Sequence, residues 1–182
     1  MGDFSLTALE LREVAAFALA SAAEVLPLYE SVCPEDERPR RATEAAQEFV
    51  GGAPRSKLQR TAAPAAHRAA KDAPSAVAFH AAMAAGDAAA SAYLHPLADP
   101  AQVGHILRAS AHAARAAELA RPDFPHAVDA SLDDAIRRAT PTLVSVLSRY
   151  PATEISQGSN RIAQLVHQLD TALRDPEFRG SR

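Results

Sequence analysis

Alanine supplies 44 of the 182 residues, and that bias narrows the fold more than any motif does. Alanine has the strongest intrinsic preference for helix and no side-chain entropy to lose there. The chain has no Trp, and its β-branched residues nowhere form the runs from which strands are built. The expected fold class is all-α: an alanine-rich multi-helix bundle or array of about seven helices, with no sheet. A chain of this length suits one domain and can bury a core without staples. The lone Cys33 therefore has no structural task, and a single thiol excludes an intrachain disulfide framework.

Caps and apolar periodicity divide the chain. Leu11, Val14, Ala18, Ala22, Val25 and Tyr29 recur at three- and four-residue spacing. They predict a first helix over residues 6–30, capped by Ser5 and kinked or ended early by Pro27. A second begins near Pro39 and ends at Gly51-Gly52. In it Arg40 and Arg41 stand four and three residues before Glu44, the spacing of intrahelical ion pairs. A third is predicted over 54–73 with a bend at Pro64, a fourth from the Ser75 cap to Tyr93, and a fifth over 100–120 capped by Asp99.

The interior of the fourth helix, Ala81-Ala82-Met83-Ala84-Ala85-Gly86, has almost no bulk. This predicts a central helix whose neighbours come close to its backbone. Gly86 costs about 1 kcal/mol against alanine, and close approach is the compensation. The fifth helix carries Val103, Ile106 and Leu107 on its inner face and a polar stripe of His105, Arg108, His112 and Arg115. Beyond the linker Arg121-Pro122-Asp123-Phe124-Pro125, Ser131 is expected to cap a helix interrupted at Thr140-Pro141. Ile162, Leu165, Val166, Leu169 and Leu173 mark a last amphipathic helix. The linker divides an alanine-rich core, residues 1–122, from a C-terminal helical extension, residues 123–182, expected to pack on it.

The net charge of −3 conceals a gradient. Residues 1–37 carry eight acids and one base, a charge of −7, and residues 38–72 carry eight bases and three acids, a charge of +5. Phe49 is the one aromatic residue in the basic stretch, which therefore lacks the stacking platforms of single-strand binders and argues against a nucleic-acid partner. No run is long and apolar enough for a membrane span, and Leu6 stands where a myristoylation signal at Gly2 needs Ser or Thr. A cytoplasmic protein with no membrane partner is expected.

Seven histidines invite a metal reading, yet none falls in an HExxH pair or a Cys/His cluster. His105 and His112 share a face, as do His80 and Asp87, but each pair falls short of a ligand set. There is no G-x-S-x-G elbow and no phosphate-cradling GxxxxGK[ST] loop. No catalytic residue, metal ligand or cofactor is expected. His67 and Asp87 stand out because both lie in alanine-rich helices expected to be central. A buried carboxylate needs a hydrogen-bonding partner, and a nearby histidine or arginine would supply one.

Val25-Leu26-Pro27-Leu28-Tyr29-Glu30 is a leucine-proline-aromatic-Glu helix end, and the acidic turn after it leads to Arg38-Pro39-Arg40-Arg41-Ala42-Thr43-Glu44-Ala45. In these motifs, and in the alanine-rich stretches 63–70, 84–92 and 111–117, the chain resembles the Imm-5-like immunity proteins of bacterial polymorphic toxin systems, over about residues 10–120. It departs from them at Asp87, where the family often has histidine, and in residues 125–182, which extend past the usual core. The resemblance implies a small cytoplasmic helical protein that binds a cognate toxin and neutralises it stoichiometrically, without catalysis. It singles out Arg38, Arg40, Arg41, Glu44, His67, Asp87 and His112 as partner-binding or motif positions. The first four are expected chiefly to stitch the second helix to its neighbours. The acidic N-terminal stretch, with Glu10, Glu13 and Glu24, would suit a basic toxin. The residues themselves leave two other classes open: a helical scaffold or regulatory module, and a nucleic-acid-processing or metal-dependent protein.

Overall fold

Thr7 opens the first helix. Its hydroxyl accepts from the Glu10 amide while the Glu10 carboxylate accepts from the Thr7 amide, the reciprocal bonds of a capping box. The computed structural model describes residues 4–175, so the Met1-Gly2-Asp3 start lies outside the described residues. Helix α1 spans Ala8–Glu30, starting later than a Ser5 cap predicts. A cap at Ser5 would put Ala8 at the third helical position, with no side chain to return the bond. Pro27 does not end α1 early. Pro27 and Ala23 are both exposed, so the carbonyl that Pro27 leaves unpaired can turn to water.

Helix α2 (Arg38–Val50) ends at Gly51, and Gly52, at φ +108°, turns the chain onward. Helix α3 (Lys57–Asp72) starts at a second capping box, Ser56 with Gln59, rather than at Pro54, and runs unbroken through the exposed Pro64. Ser75 caps α4 (Ala76–Ala90), which tightens into a 3-10 turn over Ser91–Tyr93. A second 3-10 turn, capped by Asp99, leads into α5 (Val103–Ala120). Ser131 falls inside α6 (Ala127–Arg138), whose first turn already carries Asp129 to complement the helix dipole. Thr140 and Asn160 cap α7 (Pro141–Leu147) and α8 (Arg161–Arg174). Among the described residues there are eight α-helices and no strand.

Helix α4 is central, with α1, α2, α3 and α5 all packed on it. Ala78, Ala81, Ala82, Ala85, Ala88 and Ala89 are fully buried along it. With methyl groups as the only side chains at these contacts, neighbouring axes are drawn to the short end of the roughly 8–10 Å range of helix pairs. A bulkier layer adjoins this alanine centre. There Ile106 and Leu107 of α5 meet Leu143 and Leu147 of α7 and Leu165 and Leu169 of α8 in one apolar cluster, which also takes in Leu11 and Val14 of α1. No helix of the described residues is long and apolar enough to cross a membrane.

The acidic N-terminal stretch does not present its charge as an open face. Glu10 pairs with Arg149 and Glu24 with Arg138, while Glu13 accepts from the Thr140 hydroxyl at 2.8 Å. Glu30 pairs with Arg40 at 2.6 Å, and Asp36 accepts from both Arg38 and the Tyr29 hydroxyl. The Arg149 hydrogen bond and the Thr7 amide pull the Glu10 carboxyl down to about 2. The expectation that Glu10, Glu13 and Glu24 face a basic partner is corrected accordingly. Each is engaged with the C-terminal half of the chain.

Candidate functional site

At Gly86, where the sequence predicts close approach to α4, the space is filled by an imidazole. A Cβ on Gly86 would lie 2.3 Å from His67 Cδ2 and 3.1 Å from the Ala63 carbonyl oxygen. The missing side chain thus lets the His67 ring of α3 reach the next residue, Asp87, which is 2% exposed. Arg108 of α5 donates through Nε to Asp87 Oδ1 at 3.1 Å. His67 Nε2 lies 3.3 Å from the same oxygen, off the angle of a good hydrogen bond. His112 Nε2 stands 3.8 Å from Oδ2, and its other ring nitrogen, Nδ1, meets His80 Nδ1 at 2.8 Å. Three helices therefore converge on one carboxylate.

The electrostatics follow from enclosure. Burial would raise the Asp87 carboxyl, but His67, the charge of Arg108 and His112 outweigh it and hold the group below the usual carboxylate range. Burial pushes His112 down to about 4, against the opposing pull of Asp87. Burial also lowers His80, with Arg115 adding to the effect. Both rings are thus neutral near pH 7, which allows one Nδ1–H to donate to the other Nδ1. His105, one turn before Arg108, is lowered by burial as well. His80, His112 and Arg108 border a cleft of about 510 Å³ whose lining also includes Phe79, Ile162 and Val166. Among the described residues no group of three or more His, Cys, Asp or Glu side chains is placed to hold a metal ion.

Of the seven positions singled out in the sequence, the structure brings together His67, Asp87 and His112. Arg38, Arg40, Arg41 and Glu44 lie apart from them on α2. Arg38 bridges Asp36 at 2.6 Å and Asp72, at the end of α3, at 2.9 Å. Arg40 ties α2 to Glu30 at the end of α1, and Arg41 reaches back to Glu37 at 2.6 Å. The expected pairs of Arg40 and Arg41 with Glu44 do not form, and Glu44 is exposed with no ion pair among the described residues. Helical side chains tilt toward the N-terminus, which carries Arg40 back to the end of α1 and Arg41 back to the acidic turn. A base preceding an acid by four residues is also the weaker order of an intrahelical pair. Arg108 is the member that spacing did not identify, while His80, which spacing puts on the Asp87 face, meets His112 of α5 instead. Arg108 reads as part of a polar stripe on α5, and nothing in that stripe says it turns toward α4.

A protein-family model described as Imm-5 like putative immunity protein matches residues 5–142. The chain belongs to that family. No curated protein and no solved structure gives a significant match. In this Imm-5-like protein the matched region takes in α1 through α6 and the start of α7, and hence every member of the Asp87 cluster. Helix α8, which lines the far side of the cleft, lies beyond it.

Two outcomes follow from this geometry. Gly86→Ala must displace the His67 ring, and is expected to cost about 1–3 kcal/mol by overpacking although alanine is the better helix former. In a His67→Ala background, which vacates that space, the same change costs less. Denaturant unfolding of the two pairs checks this, and an equal cost in both backgrounds contradicts it. For His112 the native pKa of about 4 lies below an unfolded value near 6.5, so the unfolded chain takes up the proton first. Stability is then full above pH 6.5 and falls as pH drops toward 4, by up to about 3 kcal/mol. His80 acts in the same direction. His112→Gln flattens this slope in urea titrations at pH 7 and pH 4.5, and an unchanged slope refutes the assignment.

Proposed function

We infer that this chain is an immunity protein that acts in the cytoplasm, binding a cognate toxin protein and neutralising it stoichiometrically, without catalysis. The observation that carries the reading is its family membership over residues 5–142. The site chemistry agrees with it. A general base needs a lone pair within reach of a substrate proton. The Asp87 carboxylate is instead enclosed by Arg108 and histidines, while the His80 and His112 rings turn Nδ1 toward each other. Such a network locks helices together. A surface held rigid in advance loses less freedom on binding, which favours a tight protein partner.

Within this reading the family positions have two roles. Arg40, Arg41 and Glu44 on α2 are open to a partner, whereas Asp87 and His112 are enclosed and act by holding α3, α4 and α5 in register. The extension that begins at residue 123 steadies the core, its helices α6, α7 and α8 packing on α5 and α1. The test is co-expression with the protein encoded beside this chain's gene, followed by titration of the purified pair. Protection of the cell, with inhibition complete at one molecule per toxin molecule, is the expected result. Absence of protection contradicts the reading, and so does inactivation of toxin by a small fraction of an equivalent, which would show turnover.

A further inference from the structure

Of the five lysines and arginines that the fold leaves without a partner among the described residues, four gather on one helix face; the fifth, Arg121, lies at the end of α5. Lys57, Arg60, Arg68 and Lys71 of α3 are all exposed, and none makes an ion pair or a side-chain hydrogen bond among the described residues. Their spacings of three, eleven and fourteen from Lys57 keep them on a single side of the helix, over a length of about 21 Å. Thr61 and Pro64, both exposed, lie on that side between them, and no acid interrupts it. Asp72, at the end of the helix, is already held by Arg38. The N-terminal acids behave in the opposite way, being largely engaged inside the molecule. What the outward face of α3 offers is therefore positive, although the chain as a whole carries −3.

The neighbouring helix narrows the kind of partner. Helices α2 and α3 meet through Ala42, Ala45, Ala62 and Ala66, close enough for Gln59 to donate to the Ala45 carbonyl at 2.9 Å. The outward side of α2 shows Glu44 and Glu48, exposed and without ion pairs among the described residues. A basic strip thus runs beside a mixed one, in which Arg40 and Arg41 are paired with Glu30 and Glu37 and only the acids Glu44 and Glu48 are left unpaired. A nucleic-acid backbone, negative along its whole length, would be attracted by α3 and repelled by α2, and the strip has no aromatic side chain for base stacking. A folded protein can match both strips. We propose that the outward face of α3 is the docking surface for the toxin, and that the toxin presents to it an acidic strip of similar length. This rests on the immunity reading and names the surface and the partner's charge.

The experiment uses the full chain and the protein encoded beside its gene. Lys57→Glu, Arg60→Glu, Arg68→Glu and Lys71→Glu are combined in one variant, and the same four positions are changed to Gln in a second. All four side chains are exposed, so circular dichroism and the thermal midpoint are expected to stay close to those of the parent. The expected result is a loss of toxin affinity of about 100-fold for the reversal and a smaller loss for the neutral form, from the cost of like-charge juxtaposition. The parent's affinity weakens between about 0.05 M and 0.3 M salt, and that dependence shrinks in both variants. If the parent protects cells and the reversal binds within threefold of it, the surface is wrong and the immunity reading stands. If the parent does not protect, the immunity reading fails and the toxin is removed as the occupant of α3. A short DNA duplex that the parent binds more tightly than the toxin, with that binding lost in the reversal, would overturn the protein partner in favour of nucleic acid.

Discussion

Close approach of four helices to the backbone of α4 is the constraint on which the rest of the molecule depends. Apart from Asp87, its buried positions are methyl groups and one glycine, so each neighbour is held by many short contacts rather than by a few large side chains. An alanine buries little apolar area by itself, and the gain comes from proximity. The same proximity leaves no tolerance for bulk, which accounts for the concentration of alanine in the central helices. The larger aliphatics sit in the adjoining layer formed by α5, α6, α7 and α8 with part of α1, where helix axes can stand further apart.

Smooth alanine faces pack closely but specify register poorly, since few ridges interlock. The Asp87 node supplies what they lack. One carboxylate on α4 is bound by Arg108 of α5 and approached by His67 of α3 and His112 of α5, so sliding any of these helices by a turn would strand a buried charge. Removing a partner from a buried charge is costly even where the intact pair adds little net stability. The ion pairs at the periphery, such as Arg40 with Glu30 and Arg138 with Glu24, act on the same principle at lower stakes because water competes for them.

Much of this was legible in the chain. Alanine content and periodicity specify the helical class, the central place of α4 and the meaning of Gly86, and a buried Asp87 demands a histidine or an arginine. The identity of that arginine was not legible, because Arg108 lies 21 residues away and no spacing rule links positions on different helices. Thr7 displaced Ser5 as a cap because only the former has a glutamate three residues on. The charge gradient was visible, but how much of each charge is paired within the fold was not. Residues that look like an acidic face along the sequence are mostly consumed by arginines, two of them more than a hundred positions later. Function was the least legible, since alanine packs helices while displaying almost no chemistry, and the family motifs carried that inference.

The claim that α4 is the keystone is tested most directly by native-state hydrogen exchange. If α4 is enclosed on every side by close-packed helices, the amides of residues 81–89 exchange only when the whole domain unfolds, and their exchange free energy equals the global stability measured with denaturant. Amides of α8 and of the 151–160 loop exchange through smaller openings. Exchange of the α4 amides at lower free energy than those of α8 would contradict the account.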